Sequence, residues 1–264
     1  MNSTTIPYNY CISASILVIS GTALILNMVS VPLAFRTPFK DSVFGVFLLF
    51  KSINCAIVAA AFVYWSFPLS IQPSVFNFVP LVVRQAIGII CITADGNATF
   101  FTFLVSVNRL VVLWNVRSRH DDRNVLFARI FSIAAILAGI GVSGFIHLHD
   151  ELYPSYKNEW FDWGTGKSTP LGAKKIYYFY SLRIVSLALD IVAFVKLSQL
   201  LRKLSGNQNF SFDIYFFYLI TLQHLTAFAN TVFYTQWFDF PWMTTGISYA
   251  LRYGMWQMCY LLDG

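Results

Sequence analysis

Seven ionisable residues lie within or at the edges of long apolar runs: Lys51, Arg84, Asp95, Arg183, Asp190, Arg252 and Asp263. A charge in such surroundings is costly, so each marks either a functional group or a structural ion pair, unless its side chain reaches an aqueous edge. Other chemistries are poorly served. His120, His147, His149 and His224 fall at three different depths of the runs and cannot converge on one metal ion. No G-x-S-x-G turn is present for a serine hydrolase. The last run, Trp242–Leu262, lacks the Lys that a retinal Schiff base requires. Cys11, Cys55, Cys91 and Cys259 each sit in or beside an apolar run, with no C-x-x-C pair, and read as buried thiols. No catalytic residue, metal or cofactor is expected.

The elements that must position these groups follow from composition. The chain has 264 residues, of which 57% are hydrophobic and 11% charged, against roughly 25% charged in soluble domains. Mean hydropathy is +0.61. One soluble core cannot hide that much apolar surface, and the aromatic content excludes disorder. The bilayer is therefore a partner, and the excess of basic residues reports topology rather than nucleic-acid binding. Apolar runs of about 20 residues suffice to cross the hydrocarbon as helices. Seven are predicted: Tyr10–Phe35, Ser42–Phe67, Phe78–Leu113, Val125–His147, Ile176–Leu201, Phe210–Phe238 and Trp242–Leu262. No repeats and no paired broken helices of the transporter kind interrupt them. Residues 1–264 read as one membrane domain, an all-α bundle of seven transmembrane helices.

Basic residues set the orientation. Arg36 and Lys40 follow the first run; Arg109, Arg117, Arg119, Arg123 and Arg129 surround the third loop; Lys196, Arg202 and Lys203 lie at the fifth. These loops are placed in the cytoplasm. The opposite side holds only Lys157, Lys167, Lys174 and Lys175, offset by Asp150, Glu151, Glu159 and Asp162 in the loop 148–175. The N-terminal residues 1–9 are then extracellular, no cleavable signal is expected, and Asn2-Ser3-Thr4 is a glycosylation sequon on the accessible side. The triplets at Asn97 and Asn209 fall in a helix and in a cytoplasmic loop and are set aside. Trp160-Phe161-Asp162-Trp163 reads as an aromatic belt at the headgroups rather than a lid. Asp95 lies 14 residues before Arg109, about 21 Å toward the outer face, the depth of a pocket in the outer half. Arg109 itself, after Asn108, closes the third run on the cytoplasmic side, where it can reach helix six or a cytosolic partner, or simply anchor the helix.

Four stretches narrow the reading further. They are Asn27 in Leu26-Asn27-Met28, Lys40-Asp41-Ser42-Val43-Phe44-Gly45 at the start of the second run, Ser106-Val107-Asn108-Arg109 at the end of the third, and Trp256 through Asp263-Gly264 in the seventh. Together with Asp190 and Gln223, they resemble the nematode serpentine chemoreceptors of class X, a class of G-protein-coupled receptor, over nearly the whole chain. The resemblance implies a rhodopsin-like seven-helix architecture, a small external ligand such as an odorant or pheromone-like molecule, and a heterotrimeric G protein inside. It also implies a location in the plasma membrane of a sensory neuron cilium. It places coupling at Asn108 and Arg109, and structural roles at Asn27, Asp190, Asp263 and Gly264. Cys91, Asp95, Arg183, Gln223, His224 and Trp256 have depths suited to a ligand pocket. Asp95 suits a cationic ligand, unless Arg84 or Arg183 neutralises it.

Trp114-Asn115-Val116-Arg117 departs from the Pro and Tyr that follow Asn-Arg in the class. The loop 148–175 has no Cys to staple helix three, as rhodopsin-like receptors do. The class continues helix seven beyond its Asp-Gly, whereas this chain stops at Asp263-Gly264, so a shortened helix seven is expected. A transporter or ligand-gated channel, and a truncated relative that does not signal, are the alternatives.

Overall fold

A computed structural model describes residues 5–36, 39–114, 122–149, 155–157, 162–164, 170–204, 222 and 225–226. Five helices within these residues are long and apolar enough to cross a membrane: Ser13–Ala34, Val43–Ile71, Leu81–Trp114, Arg123–Ile146 and Tyr177–Gln199. They coincide with the first five predicted runs to within a few residues. The sixth and seventh runs lie almost wholly outside the described residues.

The first helix, α1 (Thr5–Ala34), turns Ser13, Ile16, Ser20, Ala23 and Asn27 inward. Alternating steps of three and four residues keep that stripe on one side. Its small side chains let neighbouring backbones approach closely, which drives helix association where lipid removes the hydrophobic term. Asn27 is fully buried, and its Nδ2 donates to the Ala23 carbonyl at 2.8 Å. The opposite side exposes Val18, Ile25, Met28 and Val29, as a lipid-facing surface should.

A 3₁₀ turn, Phe39–Asp41, leads into α2 (Val43–Ala61). Ser42 is extended and caps α2: its Oγ accepts from the Gly45 N–H at 3.0 Å and donates to the Phe39 carbonyl at 2.9 Å. A β-carbon at Gly45 would run into the Phe39 carbonyl oxygen and carbon, which are backbone atoms and cannot swing aside. The Ser-x-Phe-Gly start of the second run thus has a steric cause. Gly45→Ala is expected to cost about 1–3 kcal/mol by overpacking, read as a lowered thermal midpoint of purified protein; an unchanged midpoint would refute the close approach.

The second span continues through a π-helical turn, Phe62–Ser66, into α3 (Phe67–Ile71). Pro68 has no N–H to give and its ring crowds the preceding turn. The widened turn absorbs this, with the Phe67 N–H bonding Phe62 O five residues back. The third span is α4 (Leu81–Trp114), the fourth α5 (Asp122–His149) and the fifth α6 (Pro170–Leu204). At 34 residues, α4 is about 51 Å long, well beyond the hydrocarbon thickness.

Between the fourth and fifth spans, β1 (Ser155–Lys157) and β2 (Asp162–Gly164) pair antiparallel, Tyr156 opposite Trp163. Sequence reading missed this hairpin because three-residue strands carry almost no periodicity. Trp160 and Phe161 lie outside the described residues.

Helix α4 is the hub. One cluster joins Cys91, Ala94 and Ala98 of α4 to Ile16 and Ala23 of α1 and to Cys55, Val58, Ala59 and Phe62 of the second span. A second joins Phe101 and Val105 to Val46 and Phe47 of α2 and to Val125 and Ala128 of α5. Gly139 of α5 meets the Asn97 side chain, so α5 comes close to α4 at that level. Leu126, Ile130, Ile133, Leu137 and Ile140 form the exposed, lipid-facing stripe of α5.

Candidate functional site

What remains of α4 is the face carrying Asp95, Thr99 and Ser106, at steps of four and seven residues. This face meets α6. The Ser106 Oγ donates to Asp190 Oδ2 at 2.8 Å, and Arg183 Nη2 donates to Thr99 Oγ1 at 3.3 Å. Both contacts join residues 84 apart in sequence. Ser106 is seven residues after Thr99, and Asp190 seven after Arg183. The two helices therefore run parallel and in step over two turns, the repeat of a coiled-coil seam. Gly96 makes the approach possible: a β-carbon there would sit 2.6 Å from the Phe179 ring of α6.

Two ion pairs flank the seam with opposite polarity. Toward the N-terminal end of α4, Arg183 of α6 reaches Asp95 at 3.3 Å. Toward its C-terminal end, Arg109 of α4 reaches Asp190 of α6 at 3.4 Å. The acid lies on α4 in the first pair and on α6 in the second. Each charge thus has an opposite charge within the bundle, which is the condition for tolerating ions in low dielectric.

The two pairs differ in closure. Asp190 is sealed, its side chain 4% exposed, and accepts from both Ser106 and Arg109. Arg183 and Asp95 are 15% and 25% exposed. Arg183 Nη2 donates to Asp95 and to Thr99 of α4 at 3.3 Å, longer than the roughly 2.7–2.9 Å of a tight charge-assisted bond.

The Arg109 guanidinium also lies over the Phe44 ring, 5.6 Å from its centroid, a cation–π contact. Phe44 belongs to the capped start of α2, so Arg109 is gripped from α2 and α6 together. Nearby, Lys196 lies 5.6 Å over the Trp114 ring, and Arg129 Nη2 donates to the Lys40 carbonyl at 3.1 Å. These bonds tie the turn before α2, the end of α4 and the flank of α6 into one basic, aromatic end of the bundle.

Several sequence candidates converge here. Asp95 joins Arg183, which settles the choice between Arg84 and Arg183 as the neighbour that neutralises it. Arg109 joins Asp190 of the fifth span; the sixth span, which it could also reach from its position, lies almost wholly outside the described residues. Asn108 is half-buried, a third of a turn away from Arg109. Cys91 is fully buried in the cluster with α1 and the second span, and Cys55, likewise not in a disulfide, is its companion there. Lys51 is buried on α2 and Arg84 half-buried near the start of α4. Asn97 is buried, in keeping with setting its sequon aside. Asn2, Gln223, His224, Arg252, Trp256, Asp263 and Gly264 lie outside the described residues, as does Cys259.

Thr99 and Gly96 were given no role from the sequence, and Ser106 and Phe44 were read only as members of the stretches that carry the family resemblance. Their signal was the shared seven-residue step of Thr99/Ser106 and Arg183/Asp190, visible only once the two runs are set side by side. Among the described residues, no group of three His, Cys, Asp or Glu side chains is arranged to hold a metal ion.

A family model described as the serpentine type 7TM GPCR chemoreceptor Srx matches residues 17–264. A comparison with curated proteins finds no match.

Proposed function

Since the chain belongs to the Srx family of serpentine seven-transmembrane chemoreceptors, and is thus a multi-pass membrane protein of a receptor family, we propose that it binds a small external molecule and signals to a heterotrimeric G protein. The observation that carries this reading is the α4–α6 seam, with the partly open Asp95–Arg183 pair at one level and the closed Arg109–Asp190 pair about two turns further along α6 and nearly four along α4. A ligand that alters the first pair shifts the register or rotation of α6, and the second pair feels that shift.

The N-terminus is outside, residues 1–264 form one domain, and Asn2 is the glycosylation site. The pocket lies in the outer half around Asp95 and Arg183, with Cys91, Gln223, His224 and Trp256 as further candidates. Asn108 and Arg109 face the G protein, Asn27, Asp190, Asp263 and Gly264 hold the bundle, and the receptor works at the membrane of a sensory cilium. The ligand acts by population shift: it favours the signalling arrangement only by as much as it binds that arrangement better. Moving from 1:99 to 99:1 takes about a 10⁴-fold difference in affinity.

The test is a G-protein reporter in cells displaying the receptor, with tags on both termini to read sidedness. Arg109→Ala is expected to abolish the reporter response to an activating odorant while surface display persists. An undiminished response would remove Arg109 from coupling. Ligand-driven ion current in cells lacking G proteins would favour a channel instead.

A further inference from the structure

Three basic residues are brought to one end of the bundle by backbone bonds. The Arg36 carbonyl, just past α1, accepts from the Lys40 N–H at 3.1 Å, and the Lys40 carbonyl accepts from Arg129 Nη2 of α5 at 3.1 Å. All three residues are exposed. Asp41 offsets Lys40 only weakly, at 3.9 Å with both side chains about half exposed. Arg129 lies deeper than a loop residue: it belongs to the apolar span Arg123–Ile146, six residues past its start, about 9 Å along the helix. Its guanidinium is exposed there and bonds a neutral carbonyl, a costly state at the hydrocarbon edge unless an anion meets it. Ile133 and Ile140 follow Arg129 at steps of four and seven residues, on the same face of α5, and are exposed as lipid-facing residues. Phe35 and Phe39, neighbours of Arg36 and Lys40 in the chain, are exposed as well.

We propose that Arg36, Lys40 and Arg129 form a site for an anionic phospholipid carrying more than one phosphate, its headgroup on the three cations and its acyl chains along Ile133 and Ile140. Charge selects an anion, and the guanidinium fork of arginine matches phosphate oxygens. Three cations from three separate elements exceed the single charge of a phosphodiester, so a multiply phosphorylated headgroup fits them better. The depth of Arg129 and the apolar face that continues beyond it select a lipid over a soluble anion. In the function proposed above this end is the cytoplasmic one, where the leaflet is anionic and basic clusters beside spans hold such headgroups. A lipid seated here ties the end of α1 and the turn before α2 to α5, so it should stabilise the bundle. The site uses neither an external ligand nor a G protein, and its failure would leave the receptor reading untouched.

The test uses the full chain in nanodiscs of phosphatidylcholine, titrated with a bisphosphorylated phosphoinositide, with phosphatidylserine, and with inositol trisphosphate as a soluble headgroup without chains. The phosphoinositide is expected to bind about tenfold more tightly than either of the others and to raise the thermal midpoint. Arg36→Gln, Lys40→Gln and Arg129→Gln should each weaken it about fivefold, and the triple variant about a hundredfold, the factors that one and three basic residues near a membrane surface imply. Lys196→Gln removes a charge from the same end but from α6, where Lys196 lies over the Trp114 ring, and should change affinity less than twofold. The midpoint of each variant in neutral discs reports its folding. Should Arg129→Gln fail to fold, Arg129→Lys keeps the charge without the fork and should still bind more weakly than wild type. Phosphatidylserine bound as tightly as the phosphoinositide would overturn the multiple-phosphate requirement. Inositol trisphosphate bound as tightly as the lipid would make this a site for a soluble anion and overturn the lipid. A triple variant with wild-type affinity, or an equal loss at Lys196, would show a diffuse basic surface and overturn the site.

Discussion

Asp190→Ala is expected to lower bundle stability by about 3 kcal/mol, the low end of the cost of removing one partner from a buried ion pair. It is also expected to raise signalling in the absence of ligand. Asp190 is the acceptor for both Ser106 and Arg109, and it is sealed within the α4–α6 seam. Its loss leaves the Ser106 hydroxyl only the Thr102 carbonyl within its own helix, at 3.1 Å. It removes the hold of α6 on Arg109 and leaves the contact with the Phe44 ring of α2. The Arg109 side chain is 21% exposed and close to the helix end, so it can swing toward water. That escape keeps the cost at the low end of the range and is the reason basal coupling should increase. The exchanged variant R109D/D190R restores an ion pair across the seam. It should recover most of the thermal midpoint without recovering coupling, because the guanidinium now belongs to α6. Thermal unfolding of purified protein, read beside basal reporter output, separates the two effects. A variant as stable and as silent as wild type would show that the pair contributes nothing.

Gly96→Leu has the second large expected effect. The nearest obstacle to any side chain at this position is the Phe179 ring. Overpacking of this kind costs about 1–3 kcal/mol, and Leu adds more atoms than Ala would. The ring is on the same helix as Arg183, so relief by moving α6 outward lengthens bonds that already stand at 3.3 Å to Asp95 and Thr99. Loss of ligand response at normal surface display is expected. The double variant G96L/F179A returns the space that Leu takes. If the contact is the cause, it should recover stability that neither single change retains, a non-additivity measured by a double-mutant cycle. Additive losses would place the effect elsewhere.

Much of this arrangement was legible beforehand. Long apolar runs gave the first five spans to within a few residues, because hydrocarbon thickness and helical rise leave little freedom in length. The rarity of charge inside those runs singled out Asp95, Arg183 and Asp190, and the position of Arg109 at the cytoplasmic end of the third run singled it out as well. Lys51 shows the limit of the same signal: it was flagged equally, and it proves to be buried on α2 rather than at either ion pair. The short β1–β2 pair in the loop after the fourth span carried no pattern at all, being held by backbone bonds rather than by side-chain alternation.

By itself, then, the sequence determined that this chain lives in a bilayer, where its first five spans run, and which charges need an explanation. The tertiary structure alone decided which charges meet. Arg84 stands 11 residues before Asp95 on the same helix, about 16 Å away along the axis and too far to pair, so the partner of Asp95 had to come from another helix, and the sequence does not say which. The choice depends on how α4 is rotated and how α6 is slid against it. Both are set by contacts between residues far apart in the chain, above all the close approach at Gly96 and the in-step bonds of Thr99 with Arg183 and Ser106 with Asp190. A periodic pattern fixes the faces of one helix, but only packing fixes the phase of one helix against another.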